Sequence, residues 1–569
     1  MKMKGQKISI VYLCILSVIV IALSLFFLNQ KSGYYIDEGM TMYLANGSYN
    51  GAVTTASDYS FFDFIQEFVW RGDIPKTLVN IKDMVGQLLG SGNYSTEETV
   101  EWYDAARSLL QGNFQWVTSE ELVKQITAET GNRFNYVQVY LNQVMDVHPP
   151  LYYILAHTVF SLFQGRFSNG FLFSINIIFL LMTVWMLYKL AMRLFHNEWS
   201  ALLTVTLYGI SQSFFSCVLY FRMYAVLSFF VIATLYMHLV ACEGQLLRNR
   251  KVRALLITTL IMGSWTHYYY YIFLFPTAII TVWWLAKKYG RKDVLCYVKN
   301  VLVSAGISLV IWPFSLYHIL FSYRGTEAVD SLIHRGFVKS FGEYIRIILS
   351  EVMSSNGLLG IVVAGIIIIA VVTWTKKEKK IPVEGRLVVI PILFYLLMMA
   401  KITPIQSDRY IFCIIPLLCL CVVWGVITVC ILLHKDHKVA CVIVGIFIIC
   451  NVITGIRPNY LYLEQKNLQL GIEKDNTLNC LMVMDDDASA YAYVPYLLDF
   501  NEILAIGYGD IDKLEEVVAK DRDFPVVLYM PEYFEADTLS VKVAEKLDMN
   551  KIECIESDFA GVKAYLLEK

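Results

Sequence analysis

Residues Ile8–Leu28 read ISIVYLCILSVIVIALSLFFL, an apolar run preceded by Lys2, Lys4 and Lys7 and followed by the acidic pair Asp37-Glu38. A run of this length crosses the roughly 30 Å of hydrocarbon in a bilayer, and cations on its N-terminal side hold that end in the cytoplasm. It is too long for the apolar region of a signal peptide, and no small-residue cleavage site follows Asn29-Gln30-Lys31, so it reads as a retained span. Asp37 and Glu38 then emerge on the outer side, and every later element is oriented from that point.

Similar runs recur along the 569 residues, of which 57% are hydrophobic and 17% charged, so a water-soluble globule is excluded. The net charge of −2 conceals a segregation. Lys and Arg crowd into short loops (Arg248–Arg253, Lys287-Lys288 with Arg291-Lys292, Lys376–Lys380 and Lys435 with Lys438), which the charge rule places inside. Counting crossings between these loops gives about 11 spans, with the N-terminus cytoplasmic and the C-terminus extracytoplasmic. Among the expected spans are Phe171–Tyr188, Trp199–Cys217, Tyr224–Cys242, Val301–Phe321, Leu358–Trp374, Leu387–Ala400, Ile411–Leu433 and Ala440–Ile453. Leu151–Phe163 is too short to cross and is expected to lie along the outer face or to re-enter it.

Two polar regions interrupt this pattern. The first extracytoplasmic loop, 32–147, is too long for a linker and is expected to be partly helical around Glu97–Leu110 and Glu120–Thr130. The region 456–569 alternates β-rich runs (Leu481–Met484, Val526–Tyr529, Val562–Leu567) with an amphipathic helix over Ile511–Lys520, and reads as a small extracytoplasmic α/β domain beside a transmembrane domain over 1–455. Of the 12 cysteines most lie in apolar runs; Cys480 and Cys554 alone fall in the C-terminal region, where a disulfide and two free thiols are both compatible with the sequence. No Cys/His spacing indicates zinc.

The chemistry is expected where five polar groups share the outer depth: Asp37-Glu38, Asp146 with His148, Arg222 with Tyr224, His267 with its tyrosines, and Asp408-Arg409-Tyr410. Any one of them is equally well a wetted helix end; their coincidence on one face points to a site. Such an inventory suits group transfer from a phosphate-bearing lipid. Asp37 is the candidate general base, with Glu38 and Asp146 as further catalytic carboxylates. Arg222 and Arg409 carry a charge at any working pH and a planar fork that matches phosphate oxygens. His148, Tyr224, His267 and Tyr410 complete the candidate substrate-binding set. A divalent cation on Asp37 and Asp146 is left open, because spacing alone does not show convergence. Pro149 and Pro150 start the Leu151 helix, since neither ring nitrogen carries a hydrogen. The tyrosines of the Tyr268–Tyr271 tract, with Tyr34, Tyr35, Tyr152 and Tyr153, read first as an interfacial aromatic belt and second as sugar-stacking faces. His157 reads as structural.

Asp37-Glu38 after a first span, His148-Pro149-Pro150-Leu151, Arg222-Met223-Tyr224 and the soluble tail together resemble the GT-C-type membrane glycosyltransferases that use polyprenyl-phosphate sugars. The resemblance is to the bacterial relatives of protein O-mannosyltransferase and of the aminoarabinose transferase acting on lipid A, and covers the membrane portion from Met1 to about Gly455. It implies inverting transfer of one sugar on the outer side of a bacterial plasma membrane, with Asp37 near the reacting centre. The partners it implies are a polyprenyl-phosphate sugar donor, a glycan, lipid or protein acceptor, and membrane lipids; no nucleic acid is expected. A transporter or flippase of a lipid-linked sugar would carry ionisable residues at mid-membrane and broken or repeated helices, and no repeat is evident. An oligosaccharide polymerase or ligase shares the donor class. A sensor is disfavoured by the dense first-loop motifs.

Overall fold

The computed structural model describes residues 2–31, 33–47, 54–56, 111–320, 322–353, 383–461, 477–485, 493, 497–517, 525–555 and 562–569. They form two units, one of Met1–Phe27, Val147–Tyr152 and Phe173–Asn459, the other of Leu28–Asp146, Tyr153–Leu172 and Tyr460–Lys569. In the second unit the first loop packs with the C-terminal region.

The first unit is helical, and the chain is a multi-pass membrane protein. Among the described residues eight helices are long and apolar enough to span, and nine if a bent pair is one span. That pair, Glu198–Gly209 and Gln212–Leu219, turns by 51°. The break has a local cause: Ser211 is extended and its Oγ accepts the Phe214 N–H at 3.2 Å, so a fresh helix is capped there. Tyr224–Cys242 is buried over 89% of its length and is the inner helix, whereas Ile8–Leu28 is only 22% buried and presents Ile8, Val11, Ile15 and Val18 outward. Apolar side chains that stay exposed along a helix are what hydrocarbon as a solvent selects.

One expected span is corrected. The span placed at Val301–Phe321 runs instead from Arg291 to Ile311, and a separate short helix, Phe314–Leu320, follows. Pro313 is the reason: it donates no hydrogen bond and pushes Trp312 out of the helical region, so no helix passes through it. After Ser322 come two helices, Tyr323–His334 and Phe337–Met353, the first capped by Ser322 Oγ accepting the Gly325 N–H. Arg250–Ser264 is a helix of 15 residues, and the expected crossing Leu358–Trp374 lies outside the described residues, as do Glu97–Leu110 and the Lys376–Lys380 cluster.

The second unit is α/β. Thr54–Ala56 (β1) pairs antiparallel with Gln111–Phe114 (β2). Val117–Thr118 (β3), Asn479–Met484 (β4), Glu502–Gly507 (β5), Val526–Pro531 (β6), Lys551–Ile555 (β7) and Val562–Glu568 (β8) form one sheet in the order β3-β5-β4-β6-β8-β7. β4 is central and parallel to both β5 and β6, with Leu481 opposite Leu504 on one side and Leu528 on the other. All six residues of β4 are buried, as expected of a strand covered on both faces. The first loop supplies the edge: Val117 pairs antiparallel with Ile503, and Phe114 and Trp116 pack on the sheet's core. Ala536–Lys546 covers that core with Leu539, Val543 and Ala544. The helix expected at Ile511–Lys520 is, in its described part, a 3-10 turn over Tyr508–Lys513 and one α-turn to Val517. Cys480 on β4 is buried and Cys554 on β7 exposed; both are free, with β6 and β8 between their strands.

Helices Ile36–Asn46, Ser119–Ile126 and Tyr136–Met145 also belong to this unit, as does most of Leu151–Leu162. Asn142 Nδ2 donates to the Leu44 and Gly47 carbonyls, both at 2.9 Å, and so ties two of them together. His157 Nδ1 lies 3.1 Å from Asn46 Oδ1 in a buried contact, which is the structural place expected for it.

Candidate functional site

The six candidate substrate-binding residues lie in the first unit, and the fold brings all six together. Arg222 sits in the turn between Gln212–Leu219 and Tyr224–Cys242, only 5% exposed, and its Nη2 lies 3.4 Å from Nε2 of His148. Because a guanidinium only donates, His148 Nε2 is the acceptor whenever the imidazole is neutral. The turn bearing His148 is anchored where the prolines leave a donor free: the Leu151 N–H bonds the Trp265 carbonyl at 3.1 Å, two residues before His267.

From there the contacts close a ring. His148 meets His267 edge-on at 5.5 Å, and His267 lies 5.6 Å from Tyr224 and 4.4 Å from Tyr269, centroid to centroid. Tyr224 stacks on Tyr220 at 5.8 Å, while Tyr269 meets Tyr410 at 5.6 Å. Arg409 joins the two arms, donating from Nη1 to Tyr220 Oη at 2.7 Å and lying 5.1 Å from the Tyr410 ring. The Tyr269 N–H donates to His267 Nδ1 at 3.0 Å, so neutral His267 carries its proton on Nε2. Two guanidiniums and two imidazoles are thus held by aromatic walls at helix ends, an arrangement that concentrates positive charge where water is scarce.

Behind Arg409 lies a group of which sequence reasoning named only Asp408. Asn459 Nδ2 donates to Asp408 Oδ2 at 2.7 Å and to Glu351 Oε1 at 3.2 Å, and Gln212 Nε2 donates to the same Glu351 oxygen at 2.9 Å. Glu351 is 1% exposed, and its Oε2 has no hydrogen-bond partner among the described residues. Burial, and then the neighbouring Asp408, push its carboxyl well above the ordinary range. A lone carboxylate in the run Ile347-Ile348-Leu349-Ser350-Glu351-Val352-Met353 was the available signal.

The three carboxylates assigned to catalysis, Asp37, Glu38 and Asp146, lie in the second unit. Asp37 and Glu38 occupy the first turn of Ile36–Asn46, where the helix dipole favours negative charge. Glu38 is fully buried and carries fixed duties: it pairs with Lys31 Nζ at 3.0 Å and accepts the Tyr35 N–H at 2.8 Å, capping its own helix. Lys31 also donates to the Tyr460 carbonyl at 2.8 Å. Burial lowers the Lys31 pKa from its ordinary value, and the pairing with Glu38 opposes that shift. Asp37 is partly exposed. Asp146 ends the helix Tyr136–Met145 and accepts from Tyr153 Oη at 3.3 Å. Among the described residues no group of three or more His, Cys, Asp or Glu side chains is placed to hold a metal ion.

Residues 147–317 match the family model of the dolichyl-phosphate-mannose-protein mannosyltransferases. The resemblance to GT-C-type glycosyltransferases therefore holds over the stretch that bears His148, Arg222, Tyr224 and His267, while Asp37, Asp146, Arg409 and Tyr410 lie outside it. Two crystal structures of ArnT from Cupriavidus metallidurans are also similar. The one bound to undecaprenyl phosphate is 10% identical and the one in the apo state 9%; each alignment covers 74% of this chain and 87% of that chain, with a TM-score of 0.43. No curated protein matches this chain.

Proposed function

We propose that this chain is a glycosyltransferase that moves one sugar, hexose or pentose, from a polyprenyl phosphate to a hydroxyl of a cell-envelope glycan, lipid or protein on the outer face of the plasma membrane. The observation that carries this reading is the aromatic-walled ring that holds Arg222 and Arg409 with His148 and His267. The two guanidiniums bind the phosphate oxygens and stabilise the charge that grows as the lipid phosphate leaves. The acceptor oxygen bonds to the anomeric carbon as the bond from that carbon to the phosphate oxygen breaks, and the electron pair departs on the polyprenyl phosphate. Asp37 takes the acceptor proton, a contribution of about 10²–10⁴ in rate. Attack opposite the leaving phosphate inverts the anomeric centre. Asp146 orients the acceptor, and Glu38 positions the turn that carries Asp37.

The test is transfer in membranes from a panel of radiolabelled polyprenyl-phosphate sugars, intact chain against Asp37→Asn at matched expression. Product that disappears in the variant supports the reading; equal product removes Asp37 as the base.

The bent pair Glu198–Gly209 and Gln212–Leu219, with Gln212 on buried Glu351, favours a second reading as a carrier of lipid-linked sugar, because broken helices beside buried carboxylates are a transporter's device. Proteoliposomes loaded with labelled donor separate the two: a carrier moves the lipid between leaflets without an acceptor, whereas a transferase consumes it only with one.

A further inference from the structure

The α/β sheet of the second unit contains a point where its strand order reverses. Its parallel strands run β5-β4-β6, so the chain leaves β4, adds β5 on one side and then crosses to add β6 on the other. In open α/β sheets a ligand crevice forms beyond the carboxyl ends of the strands where the order reverses, here between β4 and β6.

At those ends three loops meet. Asp485 follows β4, Tyr508 follows β5, and Tyr533 and Phe534 follow β6. Tyr533 Oη donates to Asp485 Oδ2 at 2.7 Å, bridging the strands on either side of the reversal. Tyr508 stacks on Phe534, 4.4 Å between centroids and 27° between planes, and Tyr533 meets Phe534 edge-on at 4.7 Å. Glu535 fixes this presentation: at φ 51° it takes the left-handed conformation, turning the chain sharply between the aromatic pair and the helix Ala536–Lys546. Despite this mutual packing Tyr508 remains 48% exposed and Tyr533 67% exposed.

Three aromatic rings locked to one another but open on their outer faces, next to a carboxylate and a phenol, present a flat apolar surface with acceptors at its rim. No core demands such an arrangement, since these rings lie outside the packed cluster of Leu481, Leu504, Leu528 and Val543 or only at its margin. The charge around it selects the ligand. Asp485, Glu532 and Glu535 are carboxylates exposed on the same loops, and Lys513, the nearest cation on the loop after β5, pairs with Asp510 at 2.6 Å. Phosphate, sulfate and uronate are repelled; a ring with apolar C–H faces and equatorial hydroxyls, neutral or amino-substituted, is accepted.

We infer that Tyr508, Tyr533, Phe534 and Asp485 form a carbohydrate-binding site for a neutral or amino-substituted pyranose within a glycan. The ring's C–H face lies on Tyr508, and vicinal hydroxyls donate to Asp485 and exchange hydrogen bonds with Tyr533 Oη. None of these residues is among those assigned to transfer, so binding and transfer stand or fall separately.

The experiment is saturation-transfer NMR on the full chain in nanodiscs with three probes: a β-1,4-linked glucose hexamer, its glucosamine counterpart, and a galacturonate hexamer. Expected are transfer to ring C–H protons of the first two and about tenfold weaker binding of the third. Tyr508→Ala and Asp485→Ala each weaken the first two by about tenfold or more, the scale of one aromatic or charged contact, whereas Tyr508→Phe retains binding and shows that the fold persists. No transfer to any hexamer, or binding that Tyr508→Ala and Asp485→Ala leave unchanged, overturns the site. Preferential binding of the galacturonate hexamer overturns the assigned chemistry.

Discussion

Lys31 Nζ lies 3.0 Å from Glu38 Oε1 with both side chains closed to solvent, and the same ammonium reaches the Tyr460 carbonyl at 2.8 Å. One buried ion pair thus ties the start of the first loop to the start of the C-terminal region. Removing one member leaves the other charge buried without this counter-charge. Lys31→Met and Glu38→Leu are each expected to destabilise by about 3–5 kcal/mol, and the double variant by clearly less than their sum. Denaturant unfolding followed by tryptophan fluorescence in detergent measures the cycle, and simple additivity would show that the pair is not coupled.

Asp37 and Glu38 are adjacent but have different occupations, so their substitutions should separate. Asp37→Asn keeps its volume and a partly exposed position, so it should leave the melting temperature within a degree or two of wild type while lowering transfer by about 10²-fold or more. Glu38→Gln should lose stability as well, because the cap on Tyr35 and the pair with Lys31 both weaken. If Asp37→Asn also melts early, its loss of activity says nothing about proton transfer.

Much of this was legible in the chain. The spans could be read because an apolar run of about 20 residues has one stable solution in hydrocarbon. His148, Arg222, Tyr224, His267, Arg409 and Tyr410 could be assembled because charge at helix ends follows from topology, and the fold does bring them into one ring. Other features depend on contacts that no local pattern encodes. Val117 pairs with Ile503 across the whole membrane portion of the sequence, so the first loop's membership in the C-terminal sheet left no trace in either segment. Glu351 is bound by Gln212, 139 residues away, and by Asn459, 108 residues away. Pro313, by contrast, was visible, and its effect on Val301–Phe321 is the ordinary one of a residue that cannot donate.

Arg409 reaches Tyr220 Oη through Nη1 while its planar group lies over Tyr410, a geometry that a single ammonium does not reproduce. Arg409→Lys and Arg222→Lys should therefore each lower kcat/KM for the polyprenyl-phosphate donor by about 10²–10³-fold, the scale of one preorganised donor to a developing anion. A loss confined to KM would mean that the guanidinium binds ground and transition states alike, and an unchanged rate would remove it from the phosphate site.

Glu351 sets a pH dependence whose sign follows from its surroundings. Burial and then Asp408 raise its carboxyl above the ordinary 4.5, so the folded chain keeps a proton that the unfolded chain has released. Where the native state binds more protons than the unfolded one, stability falls as pH rises. The fall begins near the unfolded value of 4.5 and continues until the raised folded value has been passed. Glu351→Gln removes the titration while keeping an acceptor for Gln212 and Asn459, and puts an N–H₂ group where a protonated oxygen stood. The variant should melt with wild type near pH 4.5 and above it at higher pH, with the gap widening through the neutral range. Asp408, whose Oδ2 accepts from the same Asn459 nitrogen, is the negative charge that makes ionisation costly, so Asp408→Asn should end the fall at lower pH and make it smaller. Thermal melting in detergent from pH 4 to 9 reads both, and parallel profiles for wild type and Glu351→Gln would show that Glu351 does not hold the proton.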